Sequence, residues 1–309
     1  MLKAAVVGVG YLGRFHAQKY KQLAGSGKVQ FVGVCDSDPQ RAREVALEIG
    51  VPEFTDYRKL IGQVDAVTVA ATTRFHFDIA RTFLEAGIHV LLEKPITETM
   101  GQAEELCQLS LRKGLKLQIG HIERFNPAYM AVRPQLRQPE FLRADRLAPF
   151  KARAADVDVV LDIMIHDIDL ALETVGSRVK SVSAVGSSVV TDATDFADAR
   201  LIFESGSVAQ LTASRSWPET TRSLVVHQGR KIFQMDLGQA KARRIFKSTG
   251  PEIQIEEIPV QTHDAMLVET QSFLDSINGN TKPVIDGRDG LYALEVAHWI
   301  RDEIQRNAR

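Results

Sequence analysis

Asp162 and His166 stand four positions apart in an apolar run, residues 161–170. Helical spacing puts both on one face, and Asp169, seven beyond Asp162, shares that side. A carboxylate beside an imidazole fixes the tautomer of the ring and stabilises its protonated form. That is the equipment of a general base acting on an alcohol. The same pair, read alone, also serves as a helix-surface ion pair or a satisfied core histidine. Lys94 comes just after the apolar run His89-Val90-Leu91-Leu92 and just before Pro95. An ammonium at the end of a buried strand can hold a hydroxyl and stabilise developing alkoxide charge. In another setting a loop lysine is simply solvated.

A third group is Gly8-Val9-Gly10-Tyr11-Leu12-Gly13, between the apolar run 4–7 and a helical stretch at 14–23. Gly8 allows the tight turn, Gly10 keeps side chains away from a pyrophosphate, and Gly13 lets the helix lie close to the strand. The free N–H groups and positive dipole end then face an anion. A second apolar run, 29–35, ends in Asp36, an acid suited to the adenosine ribose hydroxyls of NAD and repulsive to the 2′-phosphate of NADP. Ser37 follows, and Arg41 and Arg43 come later, on the next helix. These residues point to NAD rather than NADP. The competing reading is a structural strand–helix turn in some other doubly wound protein.

A parallel sheet is the scaffold that would position them. Apolar runs at 4–7, 29–35, 65–70, 89–92 and 116–119 alternate with helical stretches at 14–23, 42–49, 99–112 and one through Ile79, Phe83 and Leu84. Such alternation implies right-handed crossovers, with ligands bound beyond the carboxyl ends of the strands. The glycine turn, Asp36, Thr72-Thr73, Lys94 and His121 all fall at those ends. The pattern then changes. Pro127, Pro134 and Pro139 punctuate the chain, a strand is expected at 141–147 and a helix at 159–175. Short runs at 179–190, 199–203, 208–213, 223–227 and 231–235, several separated by tight turns, argue for an antiparallel sheet. Amphipathic helices at 267–277 and 291–304 close the chain. The expected class is α/β, with a dinucleotide-binding domain at 1–120 and a substrate-binding and oligomerisation domain at 121–309.

The chain is 44% apolar and 25% charged with a formal charge of −1, the composition of a soluble globular protein with no field to recruit nucleic acid or an anionic membrane. A basic run, Lys241, Arg243, Arg244 and Lys247, carries no recognition motif and reads as a solvated hairpin. No apolar run approaches the ~20 residues that span a bilayer. The N-terminal apolar run leads straight into the glycine turn, unlike a secretion signal. Cys35 and Cys107 sit in apolar contexts and read as buried thiols, not as a disulfide or a metal site. The expected compartment is the cytoplasm.

Gly8 to Gly13, Glu93-Lys94-Pro95, Asp162-x-x-x-His166 and Asp286-Gly287-Arg288-Asp289-Gly290-Leu291, in this order, resemble the Gfo/Idh/MocA family of NAD(P)-dependent oxidoreductases. The resemblance covers essentially the whole chain. It implies a Rossmann domain with a parallel sheet, then an α/β domain whose open, mostly antiparallel sheet often forms the interface of a homodimer or homotetramer. It implies a catalytic set of Lys94, Asp162 and His166. It also implies NAD contacts from Gly8, Gly10, Tyr11, Leu12, Gly13, Asp36, Thr72, Thr73, His76, Glu93 and Lys94. Two positions depart from the family pattern: Thr72 stands where proline is common, and His121 where an aromatic residue is frequent. Residues 120–127 and 149–153 look closest to a branch that includes enzymes oxidising UDP-N-acetylglucosamine at the 3-hydroxyl. That branch implies a sugar or nucleotide-sugar substrate held by Arg124, Asn126, Lys151 and Arg153 beside Asp162 and His166, the basic residues serving the diphosphate. The alternatives are a dehydrogenase of a free polyol or sugar and a non-catalytic NAD-binding sensor.

Overall fold

The computed structural model describes residues 1–150, 157–247 and 252–307, which group into two compact units. The first comprises Met1–His121 and Met266–Tyr292. In it β1 (Lys3–Val7), buried from Ala4 onward, leads through the glycine turn into α1 (Tyr11–Gly25). β2 (Gln30–Cys35) precedes α2 (Pro39–Ile49). The Asp38 side chain caps α2 by accepting from the amides of Gln40 and Arg41, Pro39 fits its first turn, and Gly50 ends it at φ 81°. There follow β3 (Glu53–Phe54), β4 (Ala66–Val69), α3 (His76–Glu85), β5 (His89–Glu93), α4 (Met100–Lys113) and β6 (Leu117–Gly120). Among the described residues the sheet has six strands in the order β3-β2-β1-β4-β5-β6, every neighbouring pair parallel. The order reverses between β1 and β4, the point at which doubly wound sheets bind ligands.

The second unit comprises Ile122–Ala265 and Ala293–Arg309. It opens with α5 (Pro127–Val132) and β7 (Phe141–Leu147). A π-helical turn, Val160–Met164, runs directly into α6 (Ile165–Val175), which stops at Gly176 with φ 65°. Then come β8 (Val179–Ser187), β9 (Phe196–Phe203), β10 (Val208–Ser214), β11 (Thr221–Gln228), β12 (Lys231–Asp236), β13 (Lys241–Lys247) and β14 (Ile253–Ile258). The eight-stranded sheet runs β14-β13-β12-β11-β7-β10-β9-β8; β7–β10 pairs parallel and the other pairs antiparallel. Ala197, Ala199, Leu201 and Phe203 of β9 face the core, while Asp198, Arg200 and Ile202 alternate onto the other face.

The chain closes with α7 (Ala265–Asn278) and α8 (Gly287–Asn307). Residues 266–292 group with the first unit, whereas the expected boundary assigned all of 121–309 to the second. Phe273 and Leu274 of α7 join Tyr20 and Leu23 of α1 and Val45 and Ile49 of α2 in the core formed with β1, β2 and β4. The basic run expected as a solvated hairpin is β13: Arg244 pairs with Glu256 of β14, and Arg243 donates to Gln234 of β12. Its strand pattern is hidden by charge, because cross-strand acid–base pairs replace apolar alternation. Cys35 and Cys107 are both buried and unbridged, as expected.

The glycine turn tolerates no side chain at its two ends. A Cβ on Gly13 would lie 1.7 Å from the Gly8 carbonyl oxygen. Gly8 has φ 82°, and a Cβ there would lie 2.5 Å from the Ala71 amide nitrogen. Backbone cannot retreat as a flexible side chain can, so Gly13→Ala is expected to cost about 3 kcal/mol or more of stability. The midpoint of urea unfolding measures it.

Candidate active site

α1 begins at Gly10 with no side-chain cap and no acidic residue in its first turn. A Cβ on Gly10 would meet nothing within 4 Å. The helix N-terminus is therefore open and positive, and its residues fit a pyrophosphate. Tyr11 is exposed and Leu12 half-buried beside it. A hollow of about 500 Å³ adjoins the turn, bordered by Val9, Tyr11, Arg14, Phe15 and Arg41. Asp36 ties the end of β2 to this turn: Oδ2 accepts from the Val9 amide at 2.9 Å, and Oδ1 from the Asp38 amide at 3.0 Å. Arg41 reaches Oδ1 at 3.4 Å. Sequence order conceals that contact, because the first turn of α2 carries Arg41 back toward Asp36.

At the end of β5 the half-buried Lys94 precedes a cis bond to Pro95. Glu93 accepts from the Lys94 amide at 3.2 Å through Oε2 and meets His16 Nε2 at 2.8 Å through Oε1. Burial pushes the Glu93 carboxyl up, but the His16 hydrogen bond and the Lys94 ammonium outweigh it and hold the carboxyl below its usual range. His76 is expected at the cofactor; in the structure it is 1% exposed and acts on backbone. Its Nδ1 meets the Pro95 carbonyl and its Nε2 the Ala71 carbonyl, each at 2.9 Å. The ring thus links the loop after β4 to the loop after β5. Burial lowers its pKa despite the two carbonyls, which favour the charged ring.

Thr72, in the place of the family's proline, has φ −63°. That is the angle a proline ring would impose, so the loop keeps the path without the ring. Thr73 then opens a 3₁₀ turn, Thr73–Phe75. His121 is buried just beyond β6.

In the second unit Asp162 lies within the π-helical turn rather than in regular α-helix. The wider i→i+5 turn is a deformation found often at functional sites. Asp158 starts it, its Oδ1 accepting from the amides of Val160 and Leu161 at 3.0 and 3.1 Å. Asp162 and His166 are half-buried, while Asp167 and Asp169 are 2% and 1% exposed. The buried acids are anchored. Arg146 forks onto Asp167 with two bonds of 2.8 Å and reaches Glu123 at 2.7 Å. Burial disfavours its charge, but the two carboxylates outweigh that and raise the Arg146 pKa. Arg124 forks onto Asp169 at 2.8 and 2.6 Å and reaches Glu173 at 3.1 Å.

Two residues expected to touch substrate also have partners within the protein. Arg124 is 6% exposed and its guanidinium is committed to α6. Asn126 is buried as well: Oδ1 caps α5 at the Ala128 amide, and Nδ2 donates to Glu123 and to the Leu237 carbonyl. An isolated Arg or Asn in a sequence does not reveal whether its partner is a ligand or a buried acid; here Asp169 and Glu123 decide it. Lys151 and Arg153 lie outside the described residues. Arg124→Leu is expected to destabilise the protein by about 3–5 kcal/mol, since it strands a buried carboxylate. A contact made only to substrate would leave the urea midpoint unchanged.

Two family models match the chain: an oxidoreductase family with an NAD-binding Rossmann fold over residues 2–121, and the GFO/IDH/MocA C-terminal domain over 118–231. The UDP-N-acetylglucosamine 3-dehydrogenase of Acidithiobacillus ferrooxidans is 36% identical over 98% of this chain and 97% of its own length. A solved structure of that enzyme superposes with a TM-score of 0.93, covering 99% of this chain and 98% of that one at 35% identity. The NAD-dependent scyllo-inositol 2-dehydrogenase of Bacillus subtilis is 26% identical over 96% of this chain and 92% of its own. With its glycine turn, parallel sheet and second mixed sheet in place, the chain belongs to the Gfo/Idh/MocA family of NAD(P)-dependent oxidoreductases.

Proposed function

We propose that this enzyme oxidises a secondary hydroxyl of a nucleotide sugar, the 3-hydroxyl of UDP-N-acetylglucosamine, with NAD. The observation that carries the reading is the full-length similarity to the Acidithiobacillus enzyme of that activity. When bound, the nicotinamide supplies the hydride chemistry. The open α1 N-terminus holds the pyrophosphate, and Asp36 takes the ribose hydroxyls. Thr72, Thr73 and Lys94 border the nicotinamide end. His166 removes the hydroxyl proton, Asp162 orients the ring, and Lys94 steadies the alkoxide. Residues 1–121, with 266–292 of the same unit, serve the cofactor, and the second unit serves the substrate. The exposed face of the eight-stranded sheet, with Val185, Ile202 and Ile255 unburied, supports a homodimer or homotetramer through that sheet. The proposed setting is the cytoplasm.

A second reading, oxidation of a free polyol, is favoured by the inositol dehydrogenase similarity. Absorbance of reduced nicotinamide, followed with UDP-sugars and with free inositol or glucose, separates the two. Turnover of free polyols without turnover of nucleotide sugars overturns the first. His166→Ala is expected to lower kcat by roughly 10²–10⁴-fold, the range for losing a positioned acid–base group. Asp36→Ala, which removes charged hydrogen bonds to ribose, is expected to raise the KM for NAD roughly 10–100-fold and to narrow the preference over NADP.

A further inference from the structure

Beneath the Lys94 loop lie two carboxyl groups and one imidazole with almost no access to water. Glu93, His16 and Glu269 are 7%, 0% and 0% exposed. One polar atom from each lies within 4.8 Å of the others. Glu93 is fully engaged: Oε1 with His16 Nε2, Oε2 with the Lys94 amide. As a carboxylate it only accepts, so His16 Nε2 carries the hydrogen. Glu269, on α7, has no hydrogen-bond partner for either oxygen, and His16 Nδ1 has none. Gln118 of β6 donates from Nε2 to the Glu269 backbone carbonyl at 3.3 Å, and its own Oε1 is also unpartnered. With Glu269 ionised and the His16 ring neutral, each of these unsatisfied atoms is an acceptor, and a second negative charge is buried against Glu93. Such a group costs several kcal/mol unless it is neutralised.

A proton on Glu269, a proton on His16 Nδ1 or a bound cation could neutralise it, and the infrared carboxyl band separates the first from the other two. Both Glu93 oxygens and His16 Nε2 are already used, which leaves one carboxylate and Nδ1, too few protein ligands for a closed structural metal site. We propose that Glu269 is a neutral carboxylic acid packed beside His16, and that by packing against His16, which holds Glu93, it positions the backbone of Lys94. Burial and the Glu93 charge push the Glu269 carboxyl up, while Glu93 itself is held down, the division that two close carboxyls adopt. The other titratable groups facing the set are Tyr20, hydrogen-bonded to Thr68, beside Glu269, and Lys94 and His76 beside Glu93. Glu269 and His16 are positioning residues. The effect on catalysis rests on the role proposed for Lys94; the protonation state of Glu269 does not.

Infrared difference spectroscopy of the whole enzyme against Glu269→Gln at neutral pH tests the first half. The expected result is a protonated-carboxyl C=O stretch, shifted in D₂O, present in the parent and lost in the variant. Its absence overturns the proposal, as does a stoichiometric divalent ion found by elemental analysis and needed for stability. Thermal melts give a second readout. A carboxyl whose folded pKa is raised binds more protons folded than unfolded above its ordinary value, so the parent loses stability as pH rises. The Tm of Glu269→Gln relative to the parent should therefore climb between pH 5 and pH 8; a flat difference counts against the neutral acid. Glu269→Leu is expected to lower kcat on the order of 10²-fold, the scale of a small misplacement, with KM for NAD little changed, and Glu269→Gln to restore it. Loss of stability without a change in kcat overturns the positioning half. If the parent turns over no sugar, the functional reading fails, and the infrared band still decides the state of Glu269.

Discussion

The Gly8 carbonyl sits where a Cβ on residue 13 would be, and the rest of the cofactor side depends on that contact. Backbone against backbone brings α1 onto β1 at the switch point of the sheet. Two consequences follow in space. The helix presents its N-terminus uncapped, with Gly10 leaving open room above it. The buried face of α1 carries His16 to the end of β5, where it meets Glu93. One close approach thus sets both the anion site and the support beneath Lys94. Asp36 reinforces it by accepting from the Val9 amide, which fixes the turn against the end of β2.

Charge is divided in a comparable way in the second unit. The run Ile165-His166-Asp167-Ile168-Asp169 carries three polar side chains on one helix, and their surroundings separate them. Asp167 and Asp169 are buried and each faces a forked arginine, because an ionised carboxylate in that environment requires a partner. Asp162 and His166 are half-buried and so keep contact with solvent. The anchored acids hold α6 to β7 and to the segment at Glu123 and Arg124. The rigidity that positions the pair comes from these ion pairs, which bury polar groups only where each is satisfied.

Legibility in the sequence followed the physics of each element. The parallel sheet was readable because buried strands carry continuous apolar runs, and its helices end at glycines such as Gly50 and Gly114 with positive φ. β13 and β14 were not, since paired charges and exposed isoleucines erase the alternation that marks a strand. The helix at Asp162 was readable, but its π-helical turn was not: one wider turn within a short apolar stretch leaves too few positions to show a changed spacing. Arg124 and Asn126 meet a different limit: their internal partners could not be read from residue type. Residue type specifies what a side chain can bind, and only long-range packing specifies what it does bind.

Thr72, His76 and Glu93 show where motif and mechanism part. Thr72 reaches φ −63° without a ring, so the proline of the family pattern is one means to a backbone path that other residues can also take. His76 and Glu93 sit in the motifs, yet their polar atoms are engaged within the protein: His76 with the carbonyls of Ala71 and Pro95, Glu93 with the amide of Lys94 and the ring of His16. Both loops at the ligand edge are thereby held from below by buried groups. A loop held by buried side chains can vary at its exposed tip while its path stays fixed. That division lets one scaffold hold the backbone of Lys94 in register while the residues around it change.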